Sequence, residues 1–559
     1  MGRLDQFRRN QFDVAIIGGG IIGTGIAREA AMRGYRVVLV EKGDFGHATS
    51  SASTRLIHGG LRYLEQYDFQ LVRQDLRERE ILLRVAPHLV HPLPFLVPIY
   101  RRSLSYRLKL QAGMILYDLL SSDGSLPRHK RLSPEETLAR EPILSPEGLQ
   151  GSFIYYDGQI PSVERLCMEN VLSAQEQGAV LLNYVRADGY VKEGVVVKGL
   201  DVVDLLTGEE ARLQARLVIN ATGPWLDSTL SRLLPDGKPL LRRTMGVHLV
   251  TPRTTRNALV LFAADGRLFF LVPWNGFSLV GTTDTDFTGD PDAAVARTED
   301  IQYLIDGVRP VIPDGPWNQI HYSFAGVRAL IRVEAVHESS VPRGHRLVDH
   351  GLRDGIQGVA SVVGGKITAF RAIAEEAVDL VCRKLGEKRS RAGTDRTPLP
   401  GARFSDLTSC ISETVTVGTR LGLDEAQCRY LVHIYGSRAL EVLALVEEEP
   451  RLSARISPQH PDVLAQIRHA VQKEMALKVG DFLLRRSMLG FTQRRGVEYV
   501  GIVATEMAQA LGWDDVRHRS EESSYRQQIG QGSVSSGRSI ERPRWQRPHV
   551  LKEYNVEVD

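Results

Sequence analysis

Gly18, Gly20 and Gly23 form G-x-G-x-x-G within the run FDVAIIGGGIIGTGIA (12–27), a spacing suited to binding a dinucleotide. Gly18 permits the tight turn, Gly20 lets backbone approach a pyrophosphate, and Gly23 lets a helix pack closely on a strand. The free N–H groups and positive dipole end of that helix then meet the phosphates. Glu41 ends the following strand and is placed to accept hydrogen bonds from a ribose 2′-OH, which argues against NADP. The long polar loop ATSSASTRLIHGGLRYLE (48–65), the later strand end NATGPW (220–225) and the late GGK (364–366) provide chain to wrap a larger, extended dinucleotide. Together they point to FAD rather than NAD.

These residues need elements to carry them. The apolar run 12–17 reads as a strand, 21–32 as a helix of small residues, and VVLVE (37–41) as a second strand, a βαβ unit of a parallel sheet covered on both faces. Residues 65–86 read as an exposed charged helix, 87–98 as an extended Pro-rich stretch, 101–120 as a basic amphipathic helix and 163–177 as another helix. RLVINATG (216–223) and GVASVVGGK (358–366) read as buried strands running into glycine. Nucleotide-binding pieces at about 12–62, 160–228 and 355–386 therefore interleave with substrate-side strands at about 240–350, all within one unit spanning 12–396. A Pro/Gly linker introduces a helical domain at 397–516, and 517–559 has the composition of a disordered tail.

The chain has 559 residues, 43% hydrophobic and 25% charged, which is ordinary for a globular protein. Its 70 basic and 67 acidic residues leave a formal charge of +3, and nothing in that balance calls for nucleic acid. Cys167, Cys382, Cys410 and Cys428 are scattered, with no CxxC pair and no metal-ligand spacing, as expected of a reducing compartment. No secretory h-region and no long apolar span is legible, so the expected location is the cytoplasm or its membrane face.

The motifs 16–27, 48–65 and 220–225, with GTTDTDFTGDP (281–291), AGVR (325–328), GGKITAFR (364–371) and DFLLRRSMLGF (481–491), stand in an order that resembles the FAD-dependent, quinone-linked glycerol-3-phosphate dehydrogenases. The resemblance covers about 12–515. It implies an α/β fold with a glutathione-reductase-type FAD domain, an antiparallel-sheet substrate domain and a C-terminal helical domain. It also implies oxidation of glycerol 3-phosphate to dihydroxyacetone phosphate, with electrons passed to membrane quinone. One departure is DGQIPSVERL (157–166), where Ile160 and Pro161 replace the acids usual after DGQ.

A phosphate dianion calls for cations, preferably arginine forks. The candidates are Arg55, Arg328, Arg343 (with Arg346 competing for its role) and Lys366. Removing the substrate hydroxyl proton calls for a base titrating near neutrality, for which His58 is the first choice and His248 the second. Arg62 is placed to stabilise an alkoxide or the reduced flavin anion, and Lys366 to stabilise negative charge on the flavin. Thr49, Ser50 and Ser51, with Gly223, Gly364, Gly365, Ile367 and Thr368, are the remaining expected FAD contacts.

Several alternatives stay open from sequence: an oxidase passing electrons to O₂, an FAD amine oxidase of the same fold, and a non-catalytic flavin subunit. Several cations around a phosphate weigh against the amine oxidase, and the unclustered cysteines against an iron–sulfur subunit. The 101–120 helix suits peripheral attachment to the inner face of the cell membrane or packing on the core. The basic tail segment 533–549 suits either an electrostatic arm or a tolerated tail, and a homo-oligomer is compatible with everything above.

Overall fold

The computed structural model describes residues 2–100, 104–121, 124–333 and 344–531. Two sheets organise the first four hundred residues. Among the described residues the first has eight strands, with the central order His345–Asp349, Val359–Gly364, Glu210–Asn220, Gln11–Ile17, Val37–Val40, Val180–Leu182. The four pairings from Val359–Gly364 to Val180–Leu182 are parallel. Parallel strands need both faces covered, which explains the continuous apolar runs VAII and VVLV. Helix Ile21–Met32 packs against both Val163–Glu176 and Phe370–Leu385 beside this sheet, as its small residues allow. Gly25 is one such point, where a Cβ would lie 2.8 Å from the Phe370 ring.

Among the described residues the second sheet has ten strands and is mainly antiparallel, with Leu241–Pro252 between Phe277–Gly281 and Tyr322–Ile331. It draws strands from well before residue 240: Leu56–Ile57, His91–Tyr100, Lys130–Leu132 and Leu149–Gln159 all join it. The substrate-side segment is thus broader than the 240–350 expected, and Leu56–Ile57 leaves the nucleotide piece for this sheet. The Pro-rich stretch is a strand because Pro92, Pro94 and Pro98 alternate, which confines the missing donors to one side.

The charged helix expected to be exposed is Phe69–Val85, and only part of its charge lies in solvent: Arg73, Arg77 and Arg84 are exposed. Asp75, Glu78, Arg79 and Glu80 are buried. Each has a partner outside its own turn: Glu78 takes a fork from Arg371, Asp75 pairs with Lys366, and Arg79 pairs with Asp157. Local charge pattern cannot reveal partners nearly three hundred residues away.

Beyond the linker the chain is helical, from Leu407–Arg420 through Val500–Leu511. Helix Asp515–Gln531 then continues into the segment expected to be disordered. Tyr525 explains its order, with a buried ring and a hydroxyl donating to the Arg495 carbonyl at 2.6 Å. Residues 532–559, including the basic tail segment, lie outside the described residues. The helical domain grips the nucleotide domain through buried charge. Arg485 and Arg486, in a turn of π-helix, both pair with Asp44, and Arg165 pairs with Glu474.

Candidate functional site

The G-x-G-x-x-G turn stands as expected between the Gln11–Ile17 strand and the Ile21–Met32 helix. Gly18 has φ +110°, and a Cβ there would lie 2.7 Å from the Ala221 carbonyl oxygen. A Cβ on Gly23 would lie 1.9 Å from the Gly18 oxygen, so Gly23 serves the strand–helix contact and does not face the cavity. The helix starts at Gly20 without a side-chain cap from that residue, and Ser50 Oγ accepts the Ile21 amide at 3.0 Å. Glu41 is fixed by the amides of Gly19 (2.6 Å) and Gly43 (2.7 Å). Each carboxylate oxygen retains acceptor capacity for a ribose hydroxyl.

These residues line one cavity of about 560 Å³. Gly18, Gly20, Glu41, Thr49, Ser50, Gly223, Gly364, Gly365, Ile367 and Thr368 all border it, as do His58, His248, Arg328 and Lys366. A helix start with no cap from its own N-cap residue, a turn that admits no Cβ and a buried carboxylate fit the pyrophosphate and ribose of FAD. Thr49 uses its hydroxyl on the Val327 carbonyl at 2.7 Å, which ties the 48–54 loop to the second sheet.

Sheet register brings the histidines and Arg328 together. His248 lies opposite Gly281, which pairs on its other side with Phe270, and the His58 ring packs edge-on against Phe270. A Cβ at Gly281 would come 2.4 Å from the His248 ring, so glycine makes the room. The Arg328 strand pairs with that of His248 through Thr244↔Arg328, Gly246↔Gly326 and His248↔Phe324, which puts His248 and Arg328 on one face. The Arg328 guanidinium lies over Gly246, where a Cβ would be 2.1 Å from Nη2. It donates to Asp284 Oδ1 (3.0 Å), Thr282 Oγ1 (2.9 Å) and the Thr283 carbonyl (3.1 Å). Lys366 Nζ lies 2.6 Å from Asp75 Oδ2 and 3.8 Å from the Tyr63 ring centroid.

Both imidazoles titrate well below the neutral range expected of the base. Burial lowers His58 to about 4, with Asp157 opposing and Lys366 and Arg79 adding to the fall. Burial, Arg328 and Arg55 lower His248 to about 3. Both rings are therefore neutral at pH 7 and have a lone pair to take a proton. Thr54 Oγ1 lies 2.9 Å from His248 Nε2, and Nδ1 has no partner.

Two expected contacts do not reach the cavity. Arg55 is buried in a two-point ion pair with Glu164 and sits over Trp274 and Phe491, so its guanidinium points away from the cavity. Its backbone explains the turn inward: φ is +61°, and Thr54 and Leu56 on either side border the cavity while Arg55 does not. Ser51 spends its hydroxyl on the Ala48 carbonyl. Arg346 is exposed on the edge strand His345–Asp349, away from the cavity wall. The Arg62 side chain and all of Arg343 lie outside the described residues.

Other lining residues escaped the sequence reading. Arg267 donates to the Asp284 carbonyl at 2.9 Å and is a further cation of the wall. Trp225 stacks with His47 and lies 4.1 Å from Lys42 Nζ. Trp225 and Asp284 stood in the quoted motifs NATGPW and GTTDTDF, so the signal was present without a role. Among the described residues no helix is long and apolar enough to cross a membrane, and no cluster suited to a metal ion occurs.

Comparison with known proteins agrees with this cavity. Residues 13–377 match the FAD dependent oxidoreductase family, and 392–518 match the C-terminal domain of alpha-glycerophosphate oxidase. A glycerol-3-phosphate dehydrogenase of Synechocystis sp. is 39% identical over 530 residues, covering 92% of this chain and 95% of that protein. An aerobic glycerol-3-phosphate dehydrogenase of Staphylococcus haemolyticus is 33% identical, covering 90% and 92%. The glycerol-3-phosphate dehydrogenase of Bacillus halodurans, solved with FAD, aligns over 96% of this chain and 98% of that one at 27% identity, with a TM-score of 0.77. The chain therefore belongs to the FAD-dependent glycerol-3-phosphate dehydrogenases.

Proposed function

We propose that the enzyme oxidises sn-glycerol 3-phosphate to dihydroxyacetone phosphate and delivers the electrons to a membrane quinone. FAD, which the Gly18–Gly20 turn, the start of the Ile21–Met32 helix and Glu41 would hold, would supply the two-electron acceptor for the hydride leaving C2 of the substrate. The observation that carries this reading is a single cavity in which the dinucleotide cradle adjoins Arg328, Arg267 and Lys366 and two neutral imidazoles.

Arg328 holds its fork rigid on Thr282 and Asp284 and meets the substrate phosphate, with Arg267 behind the same Asp284. His58 accepts the C2 hydroxyl proton, and His248, oriented by Thr54, takes the second position against the reacting carbon. A free imidazole at about 4 is a weak base, so the substrate must raise it: the bound phosphate dianion favours the imidazolium by direct attraction. Lys366, on the glycine turn that borders the cavity, would hold a positive charge beside the cofactor.

The quinone assignment is supported by helix Leu104–Leu120. Met114 and Tyr117 are buried on the core side, whereas Leu108, Ile115 and Leu119 are 62%, 47% and 75% exposed. Their spacing makes one apolar stripe along the outer face, with Lys109 exposed on the same helix. Tyr67 and Phe69, beside the short helix Leu61–Gln66 that it contacts, are exposed too. An amphipathic helix so arranged lies in a membrane interface, here assigned to the inner face of the cell membrane. An O₂-reducing enzyme has no need for that stripe.

Substrate-reduced enzyme reoxidised anaerobically by a short-chain quinone, with little peroxide formed in air, is the expected result. Fast peroxide formation and no quinone reduction would turn the reading to the oxidase.

A further inference from the structure

The DGQ run at 157–159 has no part in the chemistry above, yet its aspartate sits directly behind the His58 loop. Asp157 lies on the strand Leu149–Gln159 and is 1% exposed. Its Oδ2 accepts the Tyr117 hydroxyl at 2.7 Å, and its Oδ1 accepts Arg79 Nη1 at 2.7 Å. The Tyr117 oxygen in turn accepts the Gly59 amide at 3.0 Å, with Asp157 Oδ1 at 3.4 Å from the same nitrogen. Arg79 is itself held by Glu80, the Ser121 hydroxyl and the Tyr156 carbonyl.

The loop leaves no slack around this contact. A Cβ at Gly59 would lie 2.5 Å from Leu76 and 2.6 Å from the Tyr117 oxygen. On the other side of His58, its own amide donates to Thr368 Oγ1 at 3.2 Å, beside the glycine turn that borders the cofactor cavity. Two consecutive amides are thus pinned from opposite sides, and the imidazole between them has its direction set by backbone.

We propose that Asp157 and Tyr117, locked by Arg79, are the positioning residues of the His58 loop: they clamp the Gly59 amide and place one carboxylate behind the imidazole. The charged groups facing His58 are Asp157 from the strand, Arg79 from helix Phe69–Val85 and Lys366 from the glycine turn. Lys366 is in turn paired with Asp75 of the same helix. Asp157 is the anion of this set opposed to the two cations. This inference rests on the reading of His58 as the proton acceptor.

Tyr117→Phe keeps the ring and removes only the hydroxyl, and Asp157→Asn removes the charge. Two readouts are taken on FAD-loaded enzyme: hydrogen exchange at the Gly59 amide, and anaerobic flavin reduction as a function of glycerol 3-phosphate concentration. The expected result is faster Gly59 exchange in Tyr117→Phe. The maximal reduction rate constant should fall roughly 10- to 100-fold, as for a small misplacement of a reacting group, with substrate affinity and FAD retention within about threefold. Asp157→Asn should fall further. A reduction rate within about twofold of wild type, a rate loss without faster Gly59 exchange, or a loss matched by weaker substrate or FAD binding would each overturn the proposal. If Asp157→Asn fails to fold, Tyr117→Phe decides alone. His58→Gln separates the two ideas: unimpaired flavin reduction there removes the base assignment, while Gly59 exchange in Tyr117→Phe still tests the clamp.

Discussion

Arg486→Met should weaken the helical domain's hold on the nucleotide domain and, with it, the hold on FAD. Arg486 is fully buried and reaches both oxygens of Asp44 at 2.9 Å, and its Nε and Nη2 also donate to the Glu474 carbonyl at 3.2 and 2.8 Å. Asp44 takes further bonds from Arg485 and from Asn183 Nδ2 at 3.0 Å. Arg485 and Arg486 therefore hold the Asp44 carboxyl well below the usual carboxylate range against the opposing effect of burial. Removing one partner of a buried pair leaves charge uncompensated and costs about 3–5 kcal/mol, partly offset here by the retained Arg485. Asp44 lies three residues after Glu41, whose carboxylate accepts the Gly43 amide, so loosening Asp44 loosens Glu41 at the cavity wall. The assay is denaturant unfolding followed by both flavin fluorescence and tryptophan fluorescence. FAD should leave at lower denaturant in Arg486→Met, ahead of or together with unfolding. Unchanged FAD release and a destabilisation under about 1 kcal/mol would refute the reasoning that this buried pair supports cofactor retention.

Arg328→Lys should lower kcat/KM for glycerol 3-phosphate by roughly 10- to 100-fold, the worth of one charged hydrogen-bond fork, while the flavin spectrum is unchanged; an effect under threefold would argue against a phosphate contact. Burial pushes Glu474 up, but Arg165, His469 and Arg486 together hold it down at about 2, below its ordinary value near 4.5. Its stabilisation is thus complete above about pH 4.5 and is lost as pH falls toward 2, so wild type should lose more stability than Glu474→Gln between pH 5 and 3. Equal losses in an acid unfolding series would contradict this. Replacing Leu108, Ile115 and Leu119 together by Ser should release the enzyme from sedimenting anionic lipid vesicles and leave soluble-dye activity intact; undiminished vesicle binding would exclude the stripe as the membrane contact.

What could be read from sequence was local chemistry. The glycine turn and Glu41 work through backbone geometry within thirty residues, and both stand where their spacing put them. Arg55 lies off the cavity for an equally physical reason: it is flanked by cavity residues, but a left-handed backbone turns its side chain to Glu164, 109 residues away. Helix Phe69–Val85 looked solvated because its charges are dense, whereas Arg371, Lys366 and Asp157 arrive from distant elements to neutralise them. The histidines were identified by residue type, but their depressed basicity depends on burial by elements distant in sequence, which no spacing encodes. Asp157 shows the same limit, since its motif was visible and its partners Tyr117, Arg79 and Gly59 were not.

The most direct test is to follow the oxidised flavin band near ~450 nm on anaerobic addition of glycerol 3-phosphate, with glycerol and lactate as controls. Bleaching by glycerol 3-phosphate alone is the predicted result, because the cavity pairs a dinucleotide cradle with Arg328, Arg267 and Lys366. A flavin that stays oxidised with glycerol 3-phosphate, or that bleaches equally with the uncharged alcohol, would contradict the assignment of those cations to a phosphate.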